Sequence, residues 1–333
     1  MSAVLCFGEL LLRLGAPGRQ MLLQTPQFEV SVGGAEANVA VALAQFGHSA
    51  RVLTALPHGP LGDCVLGELR RFGVDTRAVR CEGRMGLYFL VPGAIHRPSE
   101  VLYDRQHSAF ARHEWTTDEI ERALAGVDWL VLSGVTPSLG ECAANACERL
   151  LDAATERGIR IAFDGNFRSK LWALWRGEPE RRLRSLMARA ELLFANERDI
   201  AVVLGDAPAA DCFAHAAARA FAAFPRLERM TTTLREEHSV DHHTLTARLI
   251  HRSGASESAP SYTLSPIVDR IGTGDAFAAG VLHGLMERLP DAEALHLGLA
   301  AACLKHSIPG DVGRASPGDL RDFVAARGFG VRR

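Results

Sequence analysis

Short apolar runs alternate along the chain with longer stretches in which apolar side chains recur every three or four positions. An uninterrupted run fits a strand covered on both faces, and the recurring pattern fits a helix with one buried stripe. On that basis Val4 to Phe7, Arg51 to Leu56, Val127 to Leu132, Ile159 to Asp164 and Leu192 to Ala195 read as strands. Helices are expected over Ala35 to Phe46 (stopped by Gly47), Cys64 to Phe72 (ending at Gly73), Cys142 to Ala154 and Pro179 to Ala190. Further helices fall at Asp199 to Leu204 and Asp211 to Phe224. Met230 to Leu234 and Leu245 to His251 are strands joined by a polar stretch, Glu236 to His243. Two helices close the chain, around Ala292 to His306 and, capped by Ser316 with Pro317 at the first position, Gly318 to Ala326. This alternation predicts an α/β fold, a doubly wound, mostly parallel sheet with helices on both faces.

Met85 to Arg105 breaks the rhythm. Leu87 to Val91 and Val101 to Arg105 are strand-like, with a Gly- and Pro-rich loop and no helix between them, so they predict a small antiparallel flap. Leu11 to Val32 also lacks helical periodicity and is assigned to the same unit. Such a unit is too small for a core of its own. The organisation expected is therefore one domain over residues 1–333, with a β lid inserted at about 11–32 and 85–110.

Composition narrows the classes. At 333 residues, 47% hydrophobic, with a formal net charge of −2, the chain can bury a substantial core and has no basic excess that would favour nucleic acid or an anionic membrane. No apolar run approaches the length of a membrane span. Glu9 and Arg13 interrupt the first apolar stretch, which reads as a strand rather than a signal peptide. The cysteines (Cys6, Cys64, Cys81, Cys142, Cys147, Cys212 and Cys303) are odd in number and never spaced Cys-x-x-Cys, which argues against zinc or a disulfide framework and for a reducing cytoplasm. Lys170 and Lys305 are the only lysines, and neither sits in a Gly-x-x-x-x-Gly-Lys-Ser/Thr frame. A Walker-type loop is excluded, so any phosphate must be held by backbone N–H groups and arginines.

The densest candidate chemistry is the stretch Ile267 to Gly280, where a β-branched lead-in meets Gly272-Thr273-Gly274-Asp275 and an alanine-rich helix. Glycines expose backbone N–H groups, and the helix start adds the positive end of its dipole, so the corner can hold an anion. Asp275, in the first turn, could take a proton from a substrate hydroxyl as phosphate is transferred, or serve only as a helix cap. Gly33-Gly34 with Asn38 could let a substrate approach the backbone. Arg168, after the strand ending at Asp164, offers a fork for carboxylate or phosphate, or a surface ion pair. Asn196 to Asp199 could order a magnesium-bound phosphate through water, or cap a helix. Arg235, beyond Thr233, could neutralise a nucleotide phosphate, and His306 sits at a helix end, where it can answer the dipole. His238, His242 and His243 read as a solvated loop.

The two glycine motifs, in this order and at this separation, resemble the two signatures of the ribokinase-like (PfkB) carbohydrate kinases, over essentially the whole chain. Within that family, Gly8 to Leu14, Asn166 to Trp172, Thr233 to Glu236 and Lys305 to Asp311 are similar to stretches of the 2-keto-3-deoxygluconate kinases. The resemblance implies ATP- and Mg2+-dependent phosphorylation of the terminal hydroxyl of that sugar acid. It implies Asp275 as base, with the N–H groups of Gly272, Thr273 and Gly274 as anion hole. Gly33, Gly34, Asn38, Tyr88, Tyr103, Arg105, Arg168 and Asp311 would line the sugar site. Asn196, Thr233, Arg235 and His306 would lie towards the nucleotide, with Gly272 and Gly274. No direct metal ligand is implied; Asp199 would reach Mg2+ through water, one methylene shorter than the family's glutamate. Two cleft arginines, Arg105 and Arg168, favour an acid substrate, since a neutral sugar would leave both needing other partners. The alternatives are a kinase for fructose, ribose or 5-dehydro-2-deoxygluconate, or a non-catalytic sugar sensor on the same fold. A homo-oligomer formed through the lid is also expected.

Overall fold

Strand β1 (Ala3–Phe7) is apolar throughout, and its side chains divide by parity between two cores: Val4 and Cys6 in one, Leu5 and Phe7 in the other. That is the signature of a strand covered on both faces. The structure, a computed structural model, describes residues 2–205 and 213–326. After β1 come β2 (Leu11–Gly15), β3 (Glu29–Gly33), β4 (Ser49–Pro57), β5 (Asp75–Cys81), β6 (Gly86–Val91) and β7 (Glu100–Asp104). β8 (Trp129–Ser133), β9 (Arg160–Asp164), β10 (Leu192–Phe194), β11 (Arg229–Ser239), β12 (His242–His251), β13 (Ser256–Ser258) and β14 (Tyr262–Leu264) follow.

The main sheet runs in the order β13-β12-β11-β10-β9-β8-β1-β4-β5, with β14 also paired to β12. Among the described residues, pairings from β5 through β11 of this sheet are all parallel, and its antiparallel pairs occur only at the β12 edge. Helices Ala35–Gln45, Thr273–Met286 and Asp291–Lys305 contribute to one core, and Glu141–Glu156, Pro179–Met187 and Phe213–Ala223 to the other. Leu5 and Phe7, fully buried, stabilise by about 1.5–3 kcal/mol each. A surface ion pair is worth about 0–1 kcal/mol, so the covered faces hold the sheet. Because β1 lies between β4 and β8, the chain winds outward from it in both directions, which opens a crevice at its carboxyl end.

The lid is a separate sheet, β3-β2-β6-β7. Its outer pairings, β2–β3 and β6–β7, are antiparallel, and β2 and β6 run parallel between them. A buried cluster fastens it to the body: Asp311 accepts from Tyr88 Oη, from Ser31 Oγ at 2.8 Å and from Arg13 at 3.3 Å, and Arg13 also meets Asp269 at 2.8 Å.

Several elements differ from the sequence reading. Asp75 to Cys81 is a strand, its pattern masked because it is a half-exposed edge carrying Arg77 and Arg80. The polar stretch Glu236 to His243 mostly continues β11 and β12 as a projecting hairpin, and His243 is buried there rather than solvated. A helix at Thr117–Leu124, unread from its pattern, carries a capping box between Thr116 and Glu119. The helix expected from Asp211 is described from Phe213; Asp211 and Cys212 lie outside the described residues. Among the described residues no helix is long and apolar enough to cross a membrane.

Candidate active site

Helix Thr273–Met286 is apolar nearly all round and buried along most of its length, so it sits in the body like a core element. It crosses helix Asp291–Lys305 closely, since a Cβ on Gly280 would lie 2.7 Å from Cα of Gly298. Its N-terminus is consequently fixed. Gly272, with φ +76°, turns the chain into it, and a Cβ there would run into the carbonyl oxygen of Asp311. The first N–H groups of a helix have no acceptor within it, and Gly274, in that first turn, is exposed.

This first turn borders a cavity of about 310 Å³ at the carboxyl ends of β1, β8 and β9. Gly34, Asn38, Tyr88, Tyr103, Arg105, Arg168, Asp311 and the whole Gly272–Asp275 corner line it. Asp275 accepts a 2.6 Å hydrogen bond from Nδ2 of Asn38. Burial pushes the Asp275 carboxyl up to about 7; Glu36 and Asp311 add to the rise, while the Asn38 bond and Arg168 oppose it. Burial likewise lifts Asp164, at the end of β9, to about 8, reinforced by Asp275 and Asp199. The cleft thus concentrates carboxyls that favour holding protons near neutral pH.

Other expected residues sit differently. Arg105 lines the cavity, but its charge is already met: Glu9 takes Nε at 2.7 Å and Nη2 at 2.6 Å, with both side chains buried. The pairing of two free arginines with a substrate acid is therefore corrected to Arg168 alone, which is exposed and hydrogen-bonds only the carbonyl of Phe167, at 3.2 Å, among the described residues. Gly33 does not line the cavity; its place is against Asp311, whose carboxylate a Cβ would strike. Asn196 and Asp199 form a capping box, Asp199 Oδ2 accepting from the Asn196 N–H at 3.0 Å, and neither lines the cavity. Thr233, Arg235 and His306 also lie outside it. Arg235 feels the charge of Arg270, a cavity residue that pairs with Glu237 at 2.6 Å. His306 is buried with Nδ1 on the carbonyl of Ala302 at 2.7 Å.

The chain's sequence matches the pfkB family carbohydrate kinase pattern over residues 1–224 and 252–313. It is 34% identical to the 2-dehydro-3-deoxygalactonokinase of Haloferax volcanii, covering 100% of this chain and 99% of that one. The 2-dehydro-3-deoxygluconokinase of Bacillus subtilis is 25% identical, over 96% of this chain and 95% of its own. The solved 2-dehydro-3-deoxygluconokinase of Thermotoga maritima superposes with a TM-score of 0.91 at 36% identity, covering 98% of this chain and 100% of that chain. The chain belongs to the pfkB family of carbohydrate kinases.

For a carbohydrate kinase, the cavity holds three acids that the sequence reading did not single out. Glu36 is buried, accepting from Ser133 Oγ at 2.8 Å, the Ser133 N–H at 3.1 Å and Thr136 Oγ1 at 2.5 Å. Its signal was a charge inside an otherwise apolar helix. Glu9 follows the end of β1 and Asp164 is the last residue of β9, the same strand-end criterion that selected Arg168.

Proposed function

We propose that this kinase transfers the γ-phosphoryl group of ATP to the terminal hydroxyl of 2-keto-3-deoxygluconate, and that residues 1–333 work as one domain whose lid, about 11–32 and 85–110, closes over the sugar. The observation that carries this reading is that Asp275 and the Gly272–Gly274 corner line a single cavity, with Gly274 exposed in it. ATP use is general in the family. The corner fits phosphate oxygens, because its donors are backbone N–H groups at a helix start and Arg235 and Arg270 share one carboxylate, Glu237, leaving net positive charge beside it. ATP with Mg2+ supplies the phosphoryl group and offsets its charge; Asp199, which caps its helix outside the cavity, would act on the ion only through water.

Asp275 orients and deprotonates the hydroxyl, with Asn38 fixing the carboxylate. The new bond joins the sugar oxygen to phosphorus as the bond to the β-phosphate oxygen breaks, and the proton passes to Asp275. Thr273, as part of the corner, presents its amide with those of Gly272 and Gly274, and these hold the charge that develops. Gly34, Tyr88 and Tyr103 enclose the sugar, while Arg168 is the cation available for its carboxylate. Thr233, Asn196 and His306, outside this cavity, would lie on the nucleotide side.

A second acceptor, the C4 epimer 2-keto-3-deoxygalactonate, is favoured by the Haloferax relative's name. A coupled assay of both acids, fructose and ribose with ATP tests the reading: turnover is expected on the acids, and activity confined to neutral sugars contradicts it. In Arg168→Ala the affinity for the acid should fall by about 1.5–3 kcal/mol, that for fructose much less. Free cysteines fit a cytoplasmic setting. Exposed Val30 and Leu102 on the lid fit pairing with a second copy, which sedimentation velocity checks; a monomer at working concentration contradicts it.

A further inference from the structure

The helix that presents Asp275 carries different chemistry at its other end. His283 and Glu287 stand one turn apart, Glu287 being the residue that caps the helix, with its N–H on the carbonyl of His283 at 3.0 Å. Side chains four apart share a helix face. His48, in the turn that follows helix Ala35–Gln45, comes against them, with Nε2 2.8 Å from Nδ1 of His283. One nitrogen from each ring and one Glu287 oxygen all lie within 4.8 Å of one another.

Three observations point to a ligand. Both rings are buried with Nε2 of His48 turned on Nδ1 of His283, so that a single proton or a single cation must join two facing lone pairs, and Nδ1 of His48 has no partner among the described residues. The helix C-terminus adds its negative end, which favours a cation. A hollow of about 400 Å³, lined by His283, Glu287, Glu293 and His296 among others, gives access from solvent. We propose that His48, His283 and Glu287 bind a divalent first-row transition metal, zinc by chemistry, with water completing the coordination. Two imidazoles and one carboxylate suit zinc, whereas magnesium and calcium take oxygen ligands.

The ion would join the turn after the first long helix to the end of the helix whose start forms the anion corner. Eight residues separate Asp275 from His283, roughly 12 Å along the helix at 1.5 Å per residue, too far for the ion to touch a transferring phosphoryl group. Its work is therefore to strap two helices together.

Calorimetry with Zn2+ on EDTA-stripped full-length protein tests this, with Mg2+ as the contrasting ion. One zinc site is expected, weakened at least about tenfold in His283→Gln and Glu287→Gln. Zinc should raise the melting temperature of the wild type and much less that of either variant. Glu287 is exposed, so Glu287→Gln keeps the test intact should the buried histidine variants fail to fold. Sugar phosphorylation by stripped Glu287→Gln, assayed with ATP and excess Mg2+ in zinc-free buffer, should match that of stripped wild type. Absence of zinc binding at micromolar concentration, binding equal in both variants, or binding lost only in Cys64→Ser (an exposed thiol) overturns the proposal.

Discussion

A carboxylate that accepts a proton near neutrality works best with a pKa close to the ambient pH. Asp275, lifted to about 7 chiefly by burial, meets that condition. The sign follows: below its folded pKa the group holds a proton and cannot act as base, and above it the group is free. The kcat/KM for the sugar should thus fall about tenfold per pH unit below pH 7 and level off above it. An acidic limb centred near pH 4 would show that the cleft does not shift this group. The same raised pKa means that the folded state binds the proton more tightly than the unfolded chain, so Asp275 favours folding at low pH, a contribution lost as pH climbs through about 7. Glu9 and Arg105 form the other residue-scale test. With both side chains buried, removing one charge strands its partner, so Glu9→Gln should cost about 3–5 kcal/mol of stability in denaturant titration. A loss under about 1 kcal/mol would mean that Arg105 finds another partner. That ion pair was not legible in sequence, because nothing in the spacing of positions 9 and 105 tells which acid reaches which base.

Between elements, the corner at Gly272 depends on a left-handed residue pressed against the chain after helix Asp291–Lys305. Gly272→Ala faces both a positive φ and the Asp311 carbonyl, so it should destabilise by more than about 1 kcal/mol and raise KM for ATP more than KM for the sugar. Unchanged nucleotide affinity would separate the corner from phosphate binding. The corner itself was readable, since glycines followed by an alanine-rich helix carry their own geometry. Strands β1, β8, β9 and β10 were readable for a related reason: both faces are covered, so each is an apolar run. β5 and the far ends of β11 and β12 were not, because edge and projecting strands carry charge on either face and so lose the period that reveals them.

For the molecule as a whole, the winding of the sheet away from β1 decides where the cleft opens, and the lid sheet stands over it through Tyr88 and Tyr103. The clasp of Arg13, Asp269 and Asp311 ties β2, β3 and β6 to the loop beside Gly272, so the lid sheet and the Gly272–Asp275 corner share one support. That Glu9, Glu36 and Asp164 gather around Asp275 could be seen only after folding, since the four come from separate segments. The most direct measurement is the turnover of Asp275→Asn beside its affinity for ATP and sugar acid. With Asn38 still in place, ligand affinities and melting temperature should stay near wild type while kcat falls by about 10² or more. Wild-type turnover in that variant would contradict a phosphoryl transfer in which Asp275 takes the hydroxyl proton.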